Sequence, residues 1–243
     1  MLQNRNCNTE HHLLRTGGTA VQDKGYRHEY KYPVTAGQCL LLQKKLGQVL
    51  TKDVHAKNGG YTIRSLYFDD DRDSALREKM DGVDPREKFR IRIYDRQRDF
   101  ICLEKKCKRG EMTKKLQCRL TYDQCQAILS GNIDGLWRQG NGLLAELYTR
   151  MREGLVPKTI VEYDRIPYVY APGNVRVTLD RSIRTGLASR DLFADIPLVP
   201  VSPLDVLEVK YDAFLPDIVR MLVAGLETSR ISVSKYALCR RYL

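Results

Sequence analysis

The chain of 243 residues contains a single tryptophan and four histidines. It has no apolar run long enough to cross a bilayer. Its longest candidates, CLLLQKKLGQVL at 39–50 and LPDIVRMLVAGL at 215–226, are short or interrupted by charge, so no membrane helix is expected. The opening stretch MLQNRNCNTEHHLLRTGGTAVQDKG lacks a cationic start followed by an apolar core. It reads as a flexible polar tail over residues 1–23, and secretion is not expected. Seven cysteines, an odd number, form no CxxC pair and no alternating Cys/His block. This argues against a disulfide framework and a structural zinc site, and suits a reduced cytoplasmic setting. His11, His12, His28 and His55 lie mainly in the tail and in loops, where nothing suggests a nucleophilic triad. No low-complexity segment or long-period repeat is evident.

Positive charge is abundant. The net charge of +11 and a pI near 9.3 concentrate phosphate-bearing ligands around the chain. Nucleic acid, nucleotides, phosphate chains and an anionic membrane surface all fit that field, and so does a well-solvated basic surface. The length suits one domain, taken as 24–243.

Residues 35–50 carry apolar positions at helical spacing behind Thr35, a candidate cap. YTIRSLYFDD reads as a strand, and DRDSALREKMDGVDP as a helix or loop closing at Pro85. EKFRIRIYD, DFICLEKKCKR and EMTKKLQCRLT then follow with short polar turns, the spacing of an antiparallel meander. YDQCQAILSG and LLAELYTRMREGL read as helices, the first ending at Gly131. KTIVEYDRIPYVY and NVRVTLDRSI flank the turn APGN, and LDVLEVKYD, a helix at 215–226 and the basic end SVSKYALCRRYL complete the chain. Runs of strands separated by helices indicate an α+β fold.

Alternate strand residues share a face. Lys88, Arg90, Arg92 and Tyr94 therefore stand together, opposite Phe89, Ile91 and Ile93. The same parity groups Glu104 with Lys106, Lys115 with Gln117 and Arg119, Arg176 with Thr178 and Asp180, and Glu208 with Lys210 and Asp212. A sheet with one wet face gives a similar alternation. Here, though, the polar faces are dominated by Arg and Lys, which repel one another unless an anion or solvent fills the space between them. Phosphate oxygens suit Arg forks and Lys point charges. The glutamates two residues before lysine, in HEYKY, LEKKC and LEVKY, fit either same-face ion pairs or a hard divalent cation bridging carboxylate and phosphate.

The ordered motifs YRHEYKY, SLYFDD, FRIRIY, LEKK, GEMTKK, VEYDR, VRVTLD, LEVKYD and SKY span residues 26–236. As a set they resemble the triphosphate tunnel metalloenzymes, and within them the VTC domain of vacuolar transporter chaperone polyphosphate polymerases. The resemblance implies a closed tunnel of eight antiparallel strands wrapped by helices. It implies transfer of the terminal phosphoryl group of ATP to phosphate or a growing polyphosphate within the basic bore. Carried over by motif, Arg90, Arg92 and Lys106 cradle the triphosphate, and Lys31, Lys210 and Lys235 neutralise the transferring group or product chain. Lys115, Arg165, Arg176 and Ser234 are further phosphate-binding positions that the resemblance implies, and Arg119 joins them through its parity with Lys115. Glu208 is the principal Mn²⁺ or Mg²⁺ ligand, with Glu29 and Glu104 either assisting the metal or orienting the lysines.

Two departures matter. The wider superfamily opens with ExExK, whereas this chain has Arg27, Glu29 and Lys31, which favours the polymerase-like branch over the cyclase and thiamine triphosphatase branch. Arg165 falls on the opposite parity from Glu162 and Asp164, so either the strand bulges or only one set faces the tunnel. A triphosphatase or polyphosphatase uses the same bore with water as acceptor. A non-catalytic polyphosphate or RNA module is the remaining rival, but no basic strand face carries the repeated aromatics that stack bases, so nucleic acid is not the expected partner. Nothing in the sequence identifies a membrane-protein partner.

Overall fold

The computed structural model describes residues 20–56, 59–135, 138, 141–224, 226 and 229–241. Most of the predicted 1–23 tail lies outside these residues. Eight long strands form a closed antiparallel barrel: β1 (Gln22–Val34), β3 (Tyr61–Asp69), β4 (Arg86–Tyr94), β5 (Ile101–Arg109), β6 (Met112–Leu120), β7 (Val156–Tyr170), β8 (Val175–Thr185) and β10 (Asp205–Tyr211). They run β7-β3-β4-β5-β6-β1-β10-β8, and pairing of β7 with β8 closes the ring. Two-residue strands, β2 (Thr51–Lys52) on β7 and β9 (Val199–Pro200) on β8, extend the sheet outside the ring. Closure leaves the eight strands of the ring without a free edge, so alternation can sort side chains into an outer apolar and an inner polar set.

The outer set is covered by helices. Phe89, Ile91, Leu103, Cys118 and Leu120 pack with Cys125 and Ile128 of α3 (Tyr122–Ser130) and with Leu143, Leu144 and Leu147 of α4 (Gly142–Arg152). On the opposite side, Val177, Leu179, Leu207 and Val209 meet Leu42 and Leu46 of α1 (Ala36–Val49) and Val219 and Val223 of α5 (Asp217–Ala224). Thr35 caps α1 as the sequence predicts, through a reciprocal capping box with Gln38, and Gly131 ends α3 in the left-handed region at φ 77°. The segment read as helix or loop contains α2 (Ser74–Met80) and ends at a cis Asp84–Pro85 bond. Among the described residues no helix is long and apolar enough to cross a membrane.

One difference from the sequence reading, and one alternative it left open, affect the interior. The basic C-terminal end contains a short helix, α6 (Lys235–Arg240), that docks beside β3 and β7 with Tyr236 stacked on Tyr67 at 5.2 Å. On β7, Tyr163 and Arg165 face the interior. Glu162 faces outward, where it accepts from Arg64 at 2.6 Å and Arg96 at 3.0 Å. Asp164 sits on the same outer side and accepts from Arg184. The β7–β8 register shifts between Glu162 and Asp164, so a bulge and a split of faces are both present.

Candidate functional site

The barrel encloses a cavity of about 890 Å³ that runs along the strands and is lined by charge. Strand parity places one Glu-x-Lys pair on each of β1, β5 and β10 in that bore. Register sets them against cations: Arg90 lies opposite Glu104, Lys210 opposite Glu29 and Glu208 opposite Lys31.

Glu104, 1% exposed, accepts from Arg90 Nε at 2.7 Å and Arg90 Nη2 at 2.6 Å, and from Lys115 Nζ at 2.9 Å, with Arg92 Nη1 at 3.7 Å. Glu29 receives Lys31 and Lys106, each at 2.7 Å, with Lys210 at 3.8 Å, and Thr113 Oγ1 donates to it at 3.1 Å. Glu208 faces Lys210 at 2.8 Å, Arg165 at 3.5 Å and Lys235 at 3.9 Å. Arg165 and Lys235 are drawn chiefly to fully buried Asp180. Arg165 donates to it through Nε and Nη2 at 2.6 and 2.7 Å, and Lys235 lies at 2.5 Å. Eight cations thus converge on four carboxylates.

This imbalance governs the titration of the bore. Burial opposes ionisation of Glu29, but Lys106 and Lys31 hold its carboxyl well below the usual range. Glu104 and Glu208 are likewise held low against burial, by Arg90 and Arg92 and by Lys210 and Lys31 respectively. One carboxylate does not satisfy three lysines. Lys31 keeps a raised pKa, whereas burial, reinforced by Lys31 and Lys210, pulls Lys106 down to about 7 despite Glu29. Lys115 is lowered to about 8 by burial, with Arg92 adding to it and Glu104 opposing. An anion entering the bore supplies the missing partners.

The predicted positions separate into three groups. Lys31, Arg90, Arg92, Lys106, Lys115, Arg165, Lys210, Lys235, Glu29 and Glu208 are brought together on the bore, with Glu104 buried behind Arg90, Arg92 and Lys115. Arg176 and Ser234 also line it with partly committed polar atoms: Arg176 pairs with Asp53 at 2.7 Å and donates to Tyr61 Oη at 2.9 Å, while Ser234 caps α6 by accepting from Ala237 N. Arg119 departs from expectation. At the end of β6 it is exposed, donates to the Asp99 carbonyl at 2.6 Å and lies 4.8 Å over the Phe100 ring, outside the cavity lining. Arg119 is still inside β6, paired with Cys102, and keeps the parity of Lys115 and Gln117; its long side chain nevertheless reaches out of the barrel mouth to the Asp99 carbonyl.

Two residues escaped the sequence reading. Asp180 was grouped with Arg176 by parity, but without a Glu-x-Lys signature it gave no reason to expect a site role. Tyr163 lies 2% exposed, with its ring near Arg165 and Lys235, and its hydroxyl accepts from Arg165 at 3.4 Å and Arg92 at 3.5 Å. Its position two residues before Arg165 on the inward face was the available signal.

Among the described residues no three His, Cys, Asp or Glu side chains gather as a complete metal cage. The donor set does fit a hard cation of the Mg²⁺ type, which takes one or two carboxylates and completes its shell with water and phosphate oxygens. Glu208 and Glu29, which share Lys210 at 2.8 and 3.8 Å, match that requirement. Glu104 lies behind Arg90, Arg92 and Lys115 and outside the cavity lining that Glu29 and Glu208 share.

The family model described as the VTC domain matches residues 26–243. No curated protein matches the chain in sequence. Among solved structures, a candidate adenylyl cyclase from Hippeastrum, described as revealing a dominant triphosphatase activity, is 14% identical with a TM-score of 0.51, covering 89% of this chain and 96% of that one. A Pyrococcus horikoshii protein is 14% identical with a TM-score of 0.50, covering 87% of this chain and 98% of that one. At this identity the likeness concerns the fold: both share the barrel architecture with the present chain.

Proposed function

The chain belongs to the VTC domain family, and from that premise we propose that it is a metal-dependent polyphosphate polymerase, passing the terminal phosphoryl group of ATP to phosphate or a phosphate chain inside the tunnel. The observation that carries this reading is the charge imbalance of eight cations against four carboxylates in one enclosed bore. Such an excess is costly in an empty low-dielectric space and is relieved by a triphosphate.

Phosphoryl transfer needs alignment and charge stabilisation more than a covalent nucleophile. Arg90 and Arg92 stand two residues apart on one strand face, and Glu104 holds the Arg90 fork in place. Their guanidiniums are suited to the non-bridging oxygens of a donor triphosphate. Lys106 and Lys115 stand opposite each other on β5 and β6 and supply movable charge along the same wall. Lys31, Lys210 and Lys235 surround Glu208 and Glu29 and are placed to offset charge on the group in transit. Arg165 is tied to Asp180 through two of its nitrogens, so its part is to shape the wall near Glu208. Glu208, with Glu29, would hold a divalent ion, which when bound supplies Lewis-acid polarisation of phosphate oxygens.

The hydrolytic alternative uses the same wall with water as acceptor, and the Hippeastrum protein's described triphosphatase activity makes it the rival to test. The test is incubation with ATP and Mn²⁺ or Mg²⁺: ADP should appear together with polymer. Glu208→Gln should lower metal-dependent turnover about 100-fold or more, because a lost metal contact removes several kcal/mol of transition-state stabilisation. The variant should retain the wild-type circular dichroism. Full activity in this variant would remove Glu208 from the metal site.

A further inference from the structure

The centre of the bore pairs its cations with carboxylates, but one mouth does not. Where α2 meets the start of β4 and the end of β5, Lys79, Arg86, Lys88 and Lys108 all line the cavity. Arg86 is directly opposite Lys108 and Lys88 directly opposite Lys106, so like charges face each other across the β4–β5 ladder, an unfavourable arrangement in an isolated sheet. Among the described residues no ion pair engages these four side chains. Lys88 Nζ is buried with no hydrogen-bond partner and lies 4.8 Å from the centroid of the Tyr236 ring.

The neighbouring acids are committed elsewhere. Asp84 accepts from Gly110 N at 2.7 Å. Asp69 accepts from the backbone of Asp70, Ala75 and Leu76 and from the Tyr236 hydroxyl. Burial, joined by the fields of Arg86, Lys31 and one another and opposed by Asp69 at Lys88 and by Glu29 and Asp84 at Lys108, lowers the pKa of Lys79, Lys88 and Lys108, with Lys88 reaching about 8. The opposite mouth has different chemistry. Tyr61, Tyr94 and Phe100 pack edge to face there, with Asp53, Asp95 and Asp99 around them on the lining.

We propose that the mouth beside α2 is a binding site for the phosphate acceptor, inorganic phosphate or the end of a condensed phosphate chain, separate from the bed that holds the donor triphosphate. The inference rests on the polymerase reading for its role, but the site is defined by binding alone. A highly charged chain without a base matches a mouth that offers cations and no free aromatic platform. The separation also gives the tunnel a direction, with the donor entering from the aromatic mouth and the acceptor from the basic one.

The test fills the donor bed with adenylyl imidodiphosphate and then titrates linear pentaphosphate, or in a second arm inorganic phosphate, by calorimetry. Wild-type protein should bind pentaphosphate at a second site, with inorganic phosphate weaker at the same place. The Lys79→Ala/Lys108→Ala variant should bind pentaphosphate about tenfold or more weakly, as expected for the loss of charged contacts. Its affinity for the nucleotide analogue should stay within about twofold of wild type. The Lys79→Arg/Lys108→Arg variant should retain pentaphosphate binding, and a thermal melt of the alanine variant should show no loss of stability because repulsion is relieved. Competition between the two ligands for one site, or parallel weakening of both, would overturn the proposal. So would tighter binding of a short single-stranded RNA than of pentaphosphate to the filled protein. If the second site binds as stated but ATP yields no polymer, the polymerase reading fails while the site stands.

Discussion

At the residue scale, each carboxylate in the bore has a distinct load. Asp180 carries the most buried one: Arg165 and Lys235 both close on it, and both reach toward Glu208. Replacing it with asparagine leaves two buried cations short of their principal partner, which typically costs about 3–5 kcal/mol. Asp180→Asn should therefore melt well below wild type, and added tripolyphosphate should recover part of the loss by supplying negative charge. An unchanged melting temperature would contradict the ion-pair account. Much of this site was legible in the sequence, because strand parity needs only the order of residues to put Glu29 with Lys31 and Glu208 with Lys210. Asp180 was less legible because its partners arrive from β7 and from α6, and sequence spacing does not reveal that convergence.

At the element scale, α6 delivers Lys235 to the interior. Six residues are too few for helical periodicity to register, so the segment read only as a basic end. Its placement depends on tertiary contacts: Tyr236 donates to Asp69 at 2.6 Å and stacks on Tyr67, while Arg240 pairs with Asp73 at 2.7 Å. A hydrogen bond to a charged acceptor is worth about 1.5–3 kcal/mol. Tyr236→Phe should lose that amount in chemical denaturation. It should also reduce turnover more than it reduces nucleotide binding, because Lys235 is adjacent to the loosened anchor. Equal turnover in the variant would show that α6 is held adequately without this bond. The longer helices α1, α3 and α4 were readable because caps and apolar spacing agree. Arg119 holds the expected place in β6, but parity fixes only the face on which a side chain starts, and near the mouth the long arginine reaches outward to the Asp99 carbonyl and the Phe100 ring.

At the scale of the whole molecule, barrel closure concentrates the excess positive charge, so stability depends on pH and on anions. Lys106, Lys115 and Lys88 titrate in the folded protein at about 7, 8 and 8, below their ordinary 10.5. Between these values the unfolded chain binds more protons, so stability should rise with pH. Buried Cys39, Cys102, Cys125 and Cys239 are pushed up from 9 to about 12 and Cys118 to about 11, and they oppose this trend only above their ordinary value. The melting temperature of the ligand-free protein should therefore climb between about pH 7 and 8.5. Saturating tripolyphosphate should raise the whole curve and flatten it, since bound anion restores the lysine protons. A ligand-free curve that falls over this range would contradict the assigned burial of the lysines.

The central claim concerns where the phosphoryl group goes, and ³¹P NMR of purified protein with ATP and Mn²⁺ or Mg²⁺, with and without a short polyphosphate primer, observes it directly. The account predicts ADP accumulating with internal-phosphate signal that grows as polymer lengthens, and a shorter lag when primer is present. ADP accompanied only by free phosphate would contradict it and assign the tunnel to hydrolysis.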